Sequence, residues 1–250
     1  IASVFLLICL LATARGRVFA DFARLGWSGL VICATSAACA MLFIGALYTT
    51  SVAHVAIIFA TCPFVSAGLA FLILGERPSR SALVASGVAL VGVLVMIGSG
   101  EEGTLAGDAL AFAMTFMVAL WTVLVRRHPD KPALPSTVVS CLMSAAVALP
   151  LASPLAASSH DLLVVLVFGV FAFSLGFLLL TIGSRYLPPV ESALIGALDA
   201  PLAPFWVWLF VGDTPADTTL LGGVIVLAAV CIHILSARWT AAGSVAPADN

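Results

Sequence analysis

Apolar residues in this chain form long unbroken runs, and polar residues are confined to the short connections between them. The runs extend over Ile1 to Ala14, Trp27 to Thr49, Val52 to Leu74, Ser81 to Gly98, Gly107 to Val125, Leu134 to Leu151, Leu162 to Gly183, Pro189 to Val211 and Thr218 to Ala237. Most approach the ~20 residues with which an α-helix crosses the hydrocarbon core of a bilayer. Barrel strands would alternate apolar and polar positions over about ten residues, and a helix on a soluble domain would keep a polar face. Neither pattern is present. The expectation is an all-α polytopic membrane protein with about nine helices, packed as antiparallel hairpins because the connections are short.

The first run is shorter than the others, 14 residues from Ile1 to Ala14. Ala12-Thr13-Ala14 resembles a signal-peptide cleavage site, but the basic n-region is missing and Arg15, Arg17 and Arg24 follow the run instead. It is read as a transmembrane helix whose beginning is absent from this sequence. The full-length protein is then expected to have ten helices, of which the first is missing here.

Composition agrees with this class. Hydrophobic residues make up 62% of the 250 and charged residues 9%, with a mean hydropathy of +1.22. A soluble domain carries about 25% charged residues. With Lys131 as the single lysine, no basic tract exists for nucleic acid to bind. The six cysteines (Cys9, Cys33, Cys39, Cys62, Cys141 and Cys231) lie in apolar runs without CxxC spacing, so they read as small core residues rather than as a metal or disulfide framework. No cofactor or metal is expected.

Charge fixes the orientation. Lys and Arg favour cytoplasmic loops, whereas Asp and Glu carry little topological information. Alternate loops hold Arg15, Arg17 and Arg24, then Arg77 and Arg80, then Arg126, Arg127 and Lys131, then Arg185, then Arg238. These are all 10 basic residues. The opposite loops hold Glu101, Glu102, Asp108, Asp161, Asp213 and Asp217. The expected location is a bacterial inner (plasma) membrane, with the C-terminal tail, residues 238–250, in the cytoplasm.

An internal repeat is visible in the order of prolines and turns. Val52 to Ile97 contains Thr61-Cys62-Pro63 inside a helix and then Gly75-Glu76-Arg77-Pro78. Pro189 to His233 contains Asp199-Ala200-Pro201 inside a helix and then Gly212-Asp213-Thr214-Pro215. The two turns fall on opposite sides of the membrane, so the copies are inverted. Residues 1–100 and 101–237 are therefore expected to be two inverted five-helix repeats, the first lacking its initial helix. Inverted repeats recur in secondary transporters, with the solute site near the midplane at the repeat interface.

These residues resemble a known family. Gly45-Ala46-Leu47-Tyr48-Thr49-Thr50, Pro63 and Gly75-Glu76-Arg77-Pro78 are similar to the first repeat of an EamA-type member of the drug/metabolite transporter superfamily. Glu191-Ser192-Ala193-Leu194, Asp199-Ala200-Pro201-Leu202-Ala203-Pro204 and Gly212-Asp213-Thr214-Pro215 resemble the second, with Asp213 where a glutamate is more usual. The resemblance implies ten helices, a cytoplasmic N-terminus and export of a small metabolite, an amino-acid-like compound or a drug.

Among candidate site residues Asp199 stands out, near the middle of its run, where a charge costs about 2.5–3.5 kcal/mol on insertion scales. A wet cavity, a solute, a proton or a local hydrogen bond would each offset that cost. Pro63 and Pro201 remove helical hydrogen bonds and crowd the carbonyls of Phe59 and Ala197; with Thr61 they mark two kinked helices that either pack together or line a central cavity. His54 and His233 are candidate proton carriers, or interfacial packing residues. Of Trp206 and Trp208, two positions apart, at most one faces a cavity. Glu191 and Arg185, at the cytoplasmic entry of the Asp199 helix, are expected to form a structural ion pair rather than a gate.

The expected partners are a small-molecule substrate, protons as a coupling ion and the lipid bilayer. The chain carries no HExxH, GxSxG or GxxxxGK[ST]. The alternatives to a transporter are an intramembrane enzyme and a non-transporting membrane sensor or scaffold.

Overall fold

The computed structural model describes residues 2–13, 18–97, 104–149, 163, 166–212 and 216–243, and these are helical apart from short turns. The first elements are α1 (Ala2–Thr13), α2 (Val18–Ala23), α3 (Gly26–Thr49), α4 (Val52–Phe59), α5 (Cys62–Leu74), α6 (Arg80–Ile97), α7 (Leu105–Arg127) and α8 (Ala133–Ala148). A π-helical stretch, Phe168–Leu175, leads into α9 (Gly176–Gly183). Then come α10 (Pro189–Gly196), α11 (Asp199–Val211) and α12 (Asp217–Gly243). Four segments are long and apolar enough to cross a membrane: Gly26–Thr49, His54–Leu74 taken across its break, Leu105–Arg127 and Asp217–Leu235. The boundary between the two expected repeats, the turn residues 213–215 and the connection 150–162 lie outside the described residues.

Burial departs from that of a water-soluble protein chiefly on the outside, which is apolar. Small and hydroxylated residues fill the inside, with Ser66, Ser86 and Thr115 at 0% exposure, while Leu72, Val84 and Phe210 stand 67% or more exposed. Lipid tails remove the penalty on outward apolar side chains, and small residues let helices approach closely. Buried hydroxyls bond to their own helix, Thr115 donating to the Ala111 carbonyl at 2.9 Å and Ser86 to that of Ala82 at 2.8 Å.

Helices from both ends of the sequence interlock. The α6–α12 contact is the closest, because a Cβ on Gly222 would collide with the Gly92 carbonyl and lie 2.6 Å from the Met96 nitrogen. Ala85, Ala89 and Val93 pack there against Val226, Ala229 and Val230. Elsewhere α3 lies on α7 and α8, and α5 on α7 and α10.

Two expected spans differ from single straight helices. Val52 to Leu74 breaks at Ala60 and Thr61, and Pro189 to Val211 breaks at Ala197 and Leu198. Pro63 and Pro201 lack an N–H and so cannot continue the four-residue ladder, and the backbone tightens into a three-residue turn. Thr61 N–H donates to the Ile58 carbonyl at 3.1 Å, and Leu198 N–H to that of Ile195 at 3.0 Å. Each broken helix has a first arm of 8 residues and a second of 13. Each second arm ends at a glycine in the left-handed region, Gly75 at φ 72° and Gly212 at φ 86°, where a Cβ would be strained.

Candidate functional site

Asp199 is the first residue of α11, immediately after the break. The first arm, at 1.5 Å per residue, sets it about 12–15 Å along a core ~30 Å thick, near the midplane. It is exposed, and among the described residues it makes no hydrogen bond or ion pair. The partial positive charge at the start of α11 favours a carboxylate there.

The other candidates divide between shaping the break and lying elsewhere. Pro63 is fully buried, and Pro201 is buried against α12, where a Cβ on Gly223 would lie 3.3 Å from its Cβ. Both prolines set the break from inside the packing. The Ala197 carbonyl, which Pro201 removes from the regular ladder, is taken up by the Ala200 N–H at 3.3 Å. Thr61 is partly buried and donates its hydroxyl to the Ile58 carbonyl at 2.6 Å. Trp206, 49% exposed, stacks on Phe210 with ring centroids 5.8 Å apart.

His54 belongs to a separate group at the start of α4. Its Nδ1 lies 3.0 and 3.2 Å from the two carboxylate oxygens of Asp108 on α7, and the Thr50 hydroxyl donates to the same carboxylate at 3.0 Å. His233 lies buried on α12, with its Nε2 3.9 Å from the Glu191 carboxylate. Glu191 therefore faces His233 and not Arg185, because the Arg185 guanidinium donates to the Lys131 carbonyl. Sequence reasoning missed this pairing, since nothing local signals which end of α12 reaches the start of α10.

The basic end forms a connected group. Arg126 at the end of α7 lies 3.4 Å from Glu76 and donates to the Arg185 carbonyl at 2.9 Å, while Lys131 donates to the Arg24 carbonyl at 3.2 Å. Burial among these loops pulls Arg185 below its ordinary pKa by desolvating the guanidinium. Residues that the charge pattern assigned to one side of the membrane thus meet at one end of the bundle. A groove of about 580 Å³ between α6 and α12 and one of about 480 Å³ between α3 and α8 contain none of Asp199, Thr61, Pro63, Pro201, Trp206 and His54.

Known proteins place this arrangement. The model of the EamA-like transporter family matches residues 1–98 and 105–235. No curated protein matches the chain. Among solved structures 25 chains match. One of them, described only as a crystal structure of a protein, is 16% identical, superposes with a TM-score of 0.74 and covers 96% of this chain and 85% of its own. At that identity the likeness shows the fold. With the family model covering nearly the whole chain, this multi-pass integral membrane protein belongs to the EamA-like transporter family.

Proposed function

We propose that the chain is a secondary transporter that exports a small organic solute across the plasma membrane by alternating access, with Asp199 as the group that receives the solute or a coupling proton. The observation that carries this reading is the exposed carboxylate at the break between α10 and α11, which has no partner among the described residues. A charge at that depth is costly toward hydrocarbon and cheap toward a wet cavity. Discontinuous helices whose inner ends meet a midplane site are the recurrent device of secondary transporters.

Two inverted five-helix repeats, residues 1–100 and 101–237, with a cytoplasmic tail beyond, belong to the same reading. The equal arms of the two broken helices and their left-handed terminal glycines support it. So does the spacing: Val52, Cys62 and Gly75 have counterparts 137 residues later in Pro189, Asp199 and Gly212. This register sets Asp199 opposite Cys62, one position from the Thr61 match that the prolines suggest.

The test is solute flux in proteoliposomes, with a proton gradient imposed or absent. Asp199→Asn is expected to insert and fold while gradient-driven flux falls to the protein-free background. Flux as fast as that of the unmodified chain overturns the role of Asp199.

A further inference from the structure

The face of α11 that carries Asp199 has a defined chemistry. Pro201 meets Gly223, so α12 covers the side of α11 more than half a turn away from Asp199. Trp208, nine residues or about two and a half turns beyond Asp199, points to the opposite side of α11 and, past the Pro201–Gly223 contact, is 48% exposed. Trp206 is seven residues beyond, about two turns, and returns to the side of Asp199. Leu202 lies between them, and Phe210 extends the row by another turn, stacked on Trp206 at an interplanar angle of 21°. Leu202, Trp206 and Phe210 are all exposed, at 36%, 49% and 79%. Whatever Asp199 faces, Trp206 faces too, and a carboxylate at this depth makes that face the wet one.

The charge on the solute follows from what is missing at this depth. Among the described residues Arg24, Arg77, Arg80, Arg126, Arg127, Lys131, Arg185 and Arg238 all stand near helix ends or in loops of the basic side. None lies level with Asp199 to receive an anionic group. The start of a discontinuous helix is where a solute carboxylate is often held, yet here that position carries the protein's own carboxylate. A second carboxylate would be repelled.

Resting on the transporter reading, we propose that this face binds small organic cations and rejects zwitterions and anions. The ammonium sits against Asp199, and its apolar substituent lies along Leu202 and Trp206. An aromatic substituent on the solute would stack on the indole face of Trp206. Trp206 thus sets specificity, and Trp208 on the opposite side does not.

The test is calorimetric titration of the full chain in lipid nanodiscs with three probes sharing one aromatic ring: benzyltrimethylammonium, phenylalanine and phenylpropionate. Benzyltrimethylammonium is expected to bind at least about tenfold more tightly than the other two, one tenfold step being 1.4 kcal/mol. Asp199→Asn should abolish its binding, Trp206→Leu should weaken it about three- to tenfold through loss of ring stacking, and Trp208→Leu should leave it unchanged. Trp206→Phe, which keeps an aromatic face, should retain part of the affinity and covers the case in which Trp206→Leu fails to fold. Equal or tighter binding of phenylalanine or phenylpropionate overturns the proposal, as does equal loss in the Trp206 and Trp208 variants or no cation binding at all. If Asp199→Asn stops flux while phenylalanine is the preferred ligand, the cation proposal falls and the transporter reading stands. If Asp199→Asn leaves flux intact, the transporter role of the residue falls instead.

Discussion

Asp199 and Cys62 each open the 13-residue arm of a broken helix, and their surroundings differ. Cys62 is 1% exposed, packed with Ala119 and Ala193, and its Sγ lies 3.8 Å from the Ser66 hydroxyl. A carboxylate there would be buried without a cationic partner, at a cost of several kcal/mol. At Asp199 the same position is open, and the acid is tolerated. The difference is measurable as accessibility. In a background lacking the native cysteines, Asp199→Cys and Trp206→Cys should react with a charged, membrane-impermeant thiosulfonate, whereas Trp208→Cys should react about tenfold or more slowly, since thiolate formation needs water. Labelling of Asp199→Cys and Trp206→Cys that is slow and no faster than that of Trp208→Cys would place the Asp199 face in lipid or in packing and remove the argument for a wet cavity.

At the scale of elements, most of the architecture was legible in the sequence because lipid imposes a minimum apolar length. The expected runs Trp27 to Thr49, Ser81 to Gly98 and Gly107 to Val125 end within two residues of α3, α6 and α7. The prolines announced both breaks, but not where the ladder yields, which depends on backbone bonds around Thr61 and Leu198 rather than on composition. The helix α2 escaped notice because its six residues, Val18–Ala23, sit in a polar connection. The site was legible as a residue and not as a face: the depth of Asp199 follows from counting, while the covered side of α11 follows from Pro201 meeting Gly223. Helix contacts of this kind are open to test. Gly222→Ala drives a methyl group into the α6 backbone at Gly92 and Met96, and should lower stability by about 1–3 kcal/mol in thermal unfolding of detergent-solubilised protein. Gly176→Ala meets no atom within 4 Å and serves as the neutral comparison. Equal stability of the two variants would mean that α6 and α12 separate at little cost.

For the whole molecule, polar side-chain pairs single out α7 as a strut. Asp108 near its start holds His54 at the head of α4, and Arg126 near its end holds Glu76 just after α5, so the first broken helix is fastened to α7 at both ends of the bundle. The Asp199 arm, by contrast, has its main packing on α12. Alternating access through the proposed site then requires α11 to move against the body that α7 ties together, with the Arg126 group at the basic end as one closure. Arg126 also donates to the Arg185 carbonyl, ahead of α10, so its removal loosens α10 from α7 at that end alone. Pairs with this exposure, 30% for Arg126 and 39% for Glu76, contribute about 0.2–1 kcal/mol, which shifts a two-state population no more than about fivefold. In oriented vesicles bearing Asp199→Cys, Arg126→Gln should raise labelling from the basic-loop side by about two- to fivefold and lower it from the other side. Asp108→Asn, which weakens the opposite fastening, should leave that two-sided ratio unchanged or move it the other way. A parallel rise from both sides would show general loosening, and α7 would then be a packing element with no part in closing the cavity.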